Sequence, residues 1–152
     1  MSADHRALHL VQTVLDCEDP RQLAEFYREL LGLRYRRGDE PPALGGPDPR
    51  GQDWLVLIGE NDEPRLAFQG VATLPPASWP DGPVPQQLHL DMSVTTLEDF
   101  HAEHARALSL GAKLLRDRSD DPDEPLRVYA DPAGHPFCIF VAAPKAGSAS
   151  RP

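Results

Sequence analysis

The sequence predicts an α+β protein built from two β-α-β-β-β modules in tandem. Three observations carry that reading. Two amphipathic helical segments, opening near residues 20 and 97, each begin with a capping pattern and end at a glycine. Each segment follows one strand-like run and precedes three more. Between the halves, "VATLPPASWPDGPVPQ" (71–86) holds five prolines in sixteen residues. That density disfavours helix and central strand and leaves an extended connector.

Taken in order, "LHLVQTVLDC" (8–17) is apolar and β-branched with the alternation of a strand. Asp19 then stands as an N-cap, Pro20 suits the first helical position, and Gln22 sits where a capping box wants it. Leu23, Phe26, Tyr27, Leu30 and Leu31 form the i, i+3, i+4, i+7, i+8 stripe, closed by Gly32. Short strands are expected at about 33–37, 54–58 and 65–70. The loop 38–53, "GDEPPALGGPDPRGQD", reads equally as a binding loop or as disorder. In the second half "QLHLDMSV" (87–94) is a strand, and Thr95 with Glu98 is a second capping box. Leu97, Phe100, His101, His104, Leu108 and Leu110 mark the next helix, ended by Gly111. Strands follow near 112–116, 126–130 and 137–142, with "DPAG" (131–134) as the turn before the last. The halves share element order but little residue identity.

The whole chain, 152 residues, is the length of one domain, expected over 1–142 with module one at 8–70, module two at 87–142 and a small, polar, flexible tail at 143–152. Net charge is −9, from 24 acidic and 15 basic residues, which argues against nucleic-acid binding because that needs a basic footprint. No basic amphipathic or long apolar run points to a membrane. The start "MSADHRALHL" lacks an apolar signal core, so a cytoplasmic location is expected, with Cys17 and Cys138 as two buried thiols. His101 and His104 share a helix face as an amphipathic rim, His135 is a turn residue facing solvent, and the acidic run 117–124 is a solvated hairpin loop lacking the spacing of a calcium loop.

The helix end "EFYRELLGL", the final turn and strand "DPAGHPFCIF", and the paired modules resemble the vicinal-oxygen-chelate superfamily, which holds glyoxalases, extradiol dioxygenases and fosfomycin- and bleomycin-resistance proteins. "LAFQGV" and "LHLDMSV" are most similar to glyoxalase-like proteins of actinobacteria, many without an assigned activity. The resemblance spans about residues 8–142. It implies two modules forming a curved, incomplete barrel with the helices outside, a site on the concave face, and a homodimer in which modules are sometimes swapped.

Alternation then sorts side chains between the two faces of each sheet. Leu88, Leu90, Met92 and Val94 face the helix, and His89, Asp91 and Ser93 face the cavity. Val11, Thr13 and Leu15 face the helix, and Leu10, Gln12, Val14 and Asp16 face inward. The resemblance places metal ligands on the first and last strands of each module, at Gln12, Gln69, His89 and Cys138. Two neutral amides and one imidazole supply no charge to balance a divalent ion, and a cysteine in "PFCIFV" reads as a small core hydrophobe. Asp91 is the same-face neighbour of His89, roughly 6–7 Å along the strand.

The expected function is therefore metal-free binding of a small organic molecule between the modules. Gln12, Gln69, His89, Asp91 and Cys138 contribute polar contacts, and Trp54, Trp79 and Phe140 form apolar walls. Two alternatives stand beside it. One is a lyase or isomerase using His89 and Asp91 in acid–base catalysis, or a metal-assisted relative using His89 with Gln12 and Gln69. The other is a non-catalytic dimer whose cavity is vestigial.

Overall fold

Helix α1 (Pro20–Leu31) begins where the sequence signals it, with the Asp19 carboxylate accepting from the Gln22 N–H at 3.2 Å. Gly32 closes it at φ 66°, a left-handed conformation costly to any residue with a Cβ. The computed structural model describes residues 7–142; the tail expectation at 143–152 lies outside the described residues.

Around α1 the first module forms β1 (Thr13–Cys17), β2 (Arg34–Tyr35), β3 (Trp54–Ile58) and β4 (Pro64–Gly70), in the order β1-β4-β3-β2. The second forms β5 (Leu90–Val94), α2 (Leu97–Leu110), β6 (Lys113–Arg118), β7 (Leu126–Ala130) and β8 (Pro136–Val141), in the order β5-β8-β7-β6. In each sheet the first and last strands run parallel and the others antiparallel. The repeated element order is thus a repeated topology. Both sheets are open, with β1 and β5 as edge strands.

One core serves both modules. Leu15, Leu66 and Phe68 from the first sheet and Tyr129, Phe137 and Ile139 from the second are buried together around α1. Tyr27 stacks on Phe68 at 6.0 Å, Phe26 meets Phe137 at 5.8 Å, and Phe137 stacks on Tyr129 at 5.1 Å. Polar ties reinforce this junction. The Tyr27 hydroxyl donates to Asp131 Oδ2 at 2.7 Å, while Oδ1 accepts from the Ala133 and His135 N–H groups at 2.9 Å each. Burial pushes the Asp131 carboxyl above its ordinary range despite these donors. Arg106 of α2 donates to the Glu29 and Leu30 carbonyls, which the end of α1 leaves without helical partners.

Several elements differ from their sequence signals. β1 starts at Thr13 and not near residue 8, because residues 7–12 have no strand beside them; Leu8 and Leu10 are almost fully exposed. The second N-cap is Thr96, one residue later than the Thr95 box, with its hydroxyl accepting from Asp99 N–H at 3.0 Å. Helix α2 buries Phe100 and Ala107 while Leu97 and Leu108 stay exposed, so its stripe is rotated from the expected one. His104 takes part in that inner face through Tyr129, its Nδ1 lying 2.8 Å from the hydroxyl. The 38–53 loop is ordered by ion pairs. Arg21 holds Asp48 at 2.7 Å and the Asp39 carbonyl at 2.7 Å, and fully buried Asp39 meets Arg50, Arg36 and the Val56 N–H.

Candidate functional site

Strand alternation in β1 turns Leu15 and Cys17 into the core and leaves Val14 and Asp16 on the opposite face. The parallel register sets Gln69 of β4 directly beside Asp16. This corner is one wall of a cavity of about 430 Å³. Leu74, Ala77, Val84 and Gln86 of the connector roof it, and Leu88, His135 and Pro136 of the second module close the far side. Its volume and mostly apolar walls with a few polar groups are those of a small-molecule site. The connector is therefore a wall as well as a tether.

Two polar details sharpen this cavity. His135 is half-buried, not free in solvent as its turn position suggests, and its Nε2 lies 2.6 Å from the Asp16 carbonyl. A carbonyl only accepts, so Nε2 carries the proton, and the second module is pinned to the edge strand of the first. The Gln86 side-chain oxygen is buried with no hydrogen-bond partner among the described residues.

His89 lies apart from that wall. It lines a second pocket of only about 70 Å³ with Trp79, Gln86, Val128, Pro136, Phe137 and Cys138. Gln86 and Pro136 face both spaces and so form the partition between them. Asp91 Oδ1 accepts from the Cys138 thiol at 2.6 Å and lies 3.3 Å from His89 Nε2, with both the histidine and the aspartate side chains at least half exposed. Burial, and then the Asp91 carboxylate, pushes the Cys138 thiol up to about 12. It is protonated at neutral pH and is not an activated nucleophile.

The other expected site residues fall elsewhere. Gln12 lies just before β1, outside the paired strand and four residues from Asp16, the partner of Gln69, roughly 13 Å away at strand rise. Trp54 packs with Val56, Ile58 and Ala67 in a small cluster of its own, and Phe140 is half-buried opposite Ser93. Neither lines the two spaces described above. The structure thus brings Gln69 to the 430 Å³ cavity, places His89 and Cys138 on the 70 Å³ pocket with Trp79, bonds Asp91 to both, and leaves Gln12, Trp54 and Phe140 out. Asp16, Gln86 and His135 are the site residues the sequence did not single out. Alternation had put Asp16 on the inward face. Gln86 ends a connector whose path no local pattern specifies.

A model of the glyoxalase-like domain family matches residues 12–140. The chain belongs to that family. Among solved structures it is similar to a glyoxalase/bleomycin resistance protein/dioxygenase family enzyme from Burkholderia phytofirmans, at 15% identity over 90% of this chain and 100% of that one, with a TM-score of 0.63. A glyoxalase/dioxygenase from Nostoc punctiforme gives 19% identity, 95% and 97% coverage and a TM-score of 0.62. The fosfomycin resistance protein FosX from Mesorhizobium loti gives 12%, 90% and 93%, and 0.59. At these identities the likeness is one of fold. No protein of curated function matches. The vicinal-oxygen-chelate architecture expected from the sequence is therefore the architecture of this glyoxalase-like domain.

Gln12, Gln69, His89 and Cys138, the metal positions expected from the resemblance, fit a divalent ion poorly. Gln12 lies outside the sheet and away from Gln69, the Cys138 thiol donates to Asp91, and one imidazole remains. Among the described residues no three His, Cys, Asp or Glu side chains gather closely enough to hold an ion.

Proposed function

We propose that this glyoxalase-like domain binds a small organic molecule in the inter-module cavity, without a metal ion. The observation that carries the reading is the cavity itself, about 430 Å³ of mainly apolar wall with Asp16, Gln69 and Gln86 among its few polar residues. The Gln86 side-chain oxygen is buried without a partner among the described residues, and a turn of this side chain towards a ligand N–H or O–H would relieve a cost of about 1–3 kcal/mol. Gln69 and Asp16 supply further polar contacts, and His135 fixes the wall through the Asp16 carbonyl. Trp79 and His89 lie behind the partition, next to the ligand space but outside it.

The test is a thermal-shift screen of small organic compounds against the wild type and Val14→Trp. Val14 is 37% exposed and lines the cavity, so an indole there fills ligand space without entering the core. A ligand at a hundred times its Kd stabilises the native state by about 2.7 kcal/mol. Such stabilisation is expected in the wild type and lost in Val14→Trp, with the unliganded melting temperature changed by no more than a few degrees. Hits that stabilise both proteins equally sink the assignment of this cavity.

A second reading, a lyase or isomerase using His89 and Asp91, is favoured by the 3.3 Å approach of the two side chains. It requires a substrate that meets His89 and Asp91 from their exposed side, since the pocket behind His89 is only about 70 Å³. Product formation from a cavity ligand distinguishes it from binding alone.

A further inference from the structure

Resting on that binding reading, we infer that the cavity selects a small apolar molecule carrying an amine, and rejects carboxylates and phosphates. The argument is an inventory of what the wall offers. Asp16 contributes a carboxylate, since alternation turns it to the same face as cavity-lining Val14. Gln86 lines the wall, and its side-chain oxygen, shielded and without a donor among the described residues, meets a ligand donor when the side chain turns inward. His135 spends its Nε2 proton on the Asp16 carbonyl, so that nitrogen offers a ligand no donor. Gln69 and Gln87 carry one amide each, offering donor and acceptor equally, and bias nothing. No lysine or arginine lines the wall among the described residues.

An anion entering this space meets the Asp16 carboxylate with no lysine or arginine in the wall to balance it. An ammonium group meets the reverse: three N–H donors for a wall rich in acceptors. The chain's net charge of −9 works the same way at longer range, raising the local concentration of cations over anions. The rest of the wall is apolar and favours a hydrocarbon or aromatic body behind the amine.

The test uses three probes with one ring and different head groups: benzylamine, benzyl alcohol and benzoate. Each is titrated at neutral pH and low salt into the wild type, Asp16→Asn and Gln86→Leu, with amide NMR shifts as the readout. Benzylamine is expected to bind at least roughly tenfold more tightly than benzoate, the equivalent of one charge contact in a partly exposed site. Asp16→Asn removes most of that preference while leaving benzyl alcohol unchanged. Gln86→Leu weakens benzylamine and benzyl alcohol together. Benzoate binding as tightly as benzylamine, or an amine preference that survives Asp16→Asn, overturns the selectivity and leaves small-molecule binding standing. If no probe moves the cavity amides at millimolar concentration, the selectivity and the binding reading fall together.

Discussion

Replacing Phe137 by alanine is expected to destabilise the protein by about 3–5 kcal/mol, the range for removing a fully buried aromatic ring. The melting temperature should fall by roughly 10 °C or more in a chain of this length. Phe137 is fully buried, stacks on Tyr129 at 5.1 Å and meets Phe26 of α1 at 5.8 Å, so its ring belongs to both modules at once. The loss should therefore appear as one cooperative transition at lower denaturant and not as separate melting of the second module. Two resolved transitions in urea would show that the modules keep separate cores, against the packing described above.

A second large effect is expected at Asp39, in the loop that sequence left open between a binding loop and disorder. Asp39 is fully buried, holds Arg50 at 2.6 Å and Arg36 at 3.1 Å, and accepts the Val56 N–H at 3.0 Å. Asp39→Ala leaves that buried N–H without a partner and frees both guanidinium groups, at a cost of about 2–4 kcal/mol. Asp39→Asn keeps an acceptor and should cost about half as much. Hydrogen exchange at the Val56 amide is the specific readout. Unchanged exchange in Asp39→Ala would mean that the loop is not held by this residue.

What the sequence made legible was whatever local chemistry determines. Asp19, Pro20 and Gly32 bound α1 because capping satisfies backbone groups within a few residues. The inward face of β1 and the core face of β5 follow from a two-residue period that tertiary structure does not alter. The legible part stopped where a non-local partner decides. Residues 8–12 have a strand's composition but no neighbouring strand, so only Thr13–Cys17 pair. In α2, one face is chosen by the need of Phe100 and His104 to meet Arg127 and Tyr129, which pulls the stripe away from Leu97 and Leu108. The site suffered most. Position-counting along strands yields Gln12, Gln69, His89 and Cys138, but register decides which of them meet, and register depends on the pairing of β1 with β4 and β5 with β8. A proline-rich connector has no periodicity, so nothing local foretold that Gln86 would enter the wall and Trp79 would cover His89.

The central claim is that the space roofed by the connector binds the ligand. It is tested most directly by titrating the tightest-binding compound of the screen into ¹⁵N-labelled protein and mapping the amide shifts. The account expects the largest shifts at residues 14–16, at Gln69, along 84–88 and at the 133–136 turn, which converge on the one cavity from both modules and the connector. Saturable shifts confined to α2 or the acidic 117–124 loop, with those four segments unmoved, would contradict it.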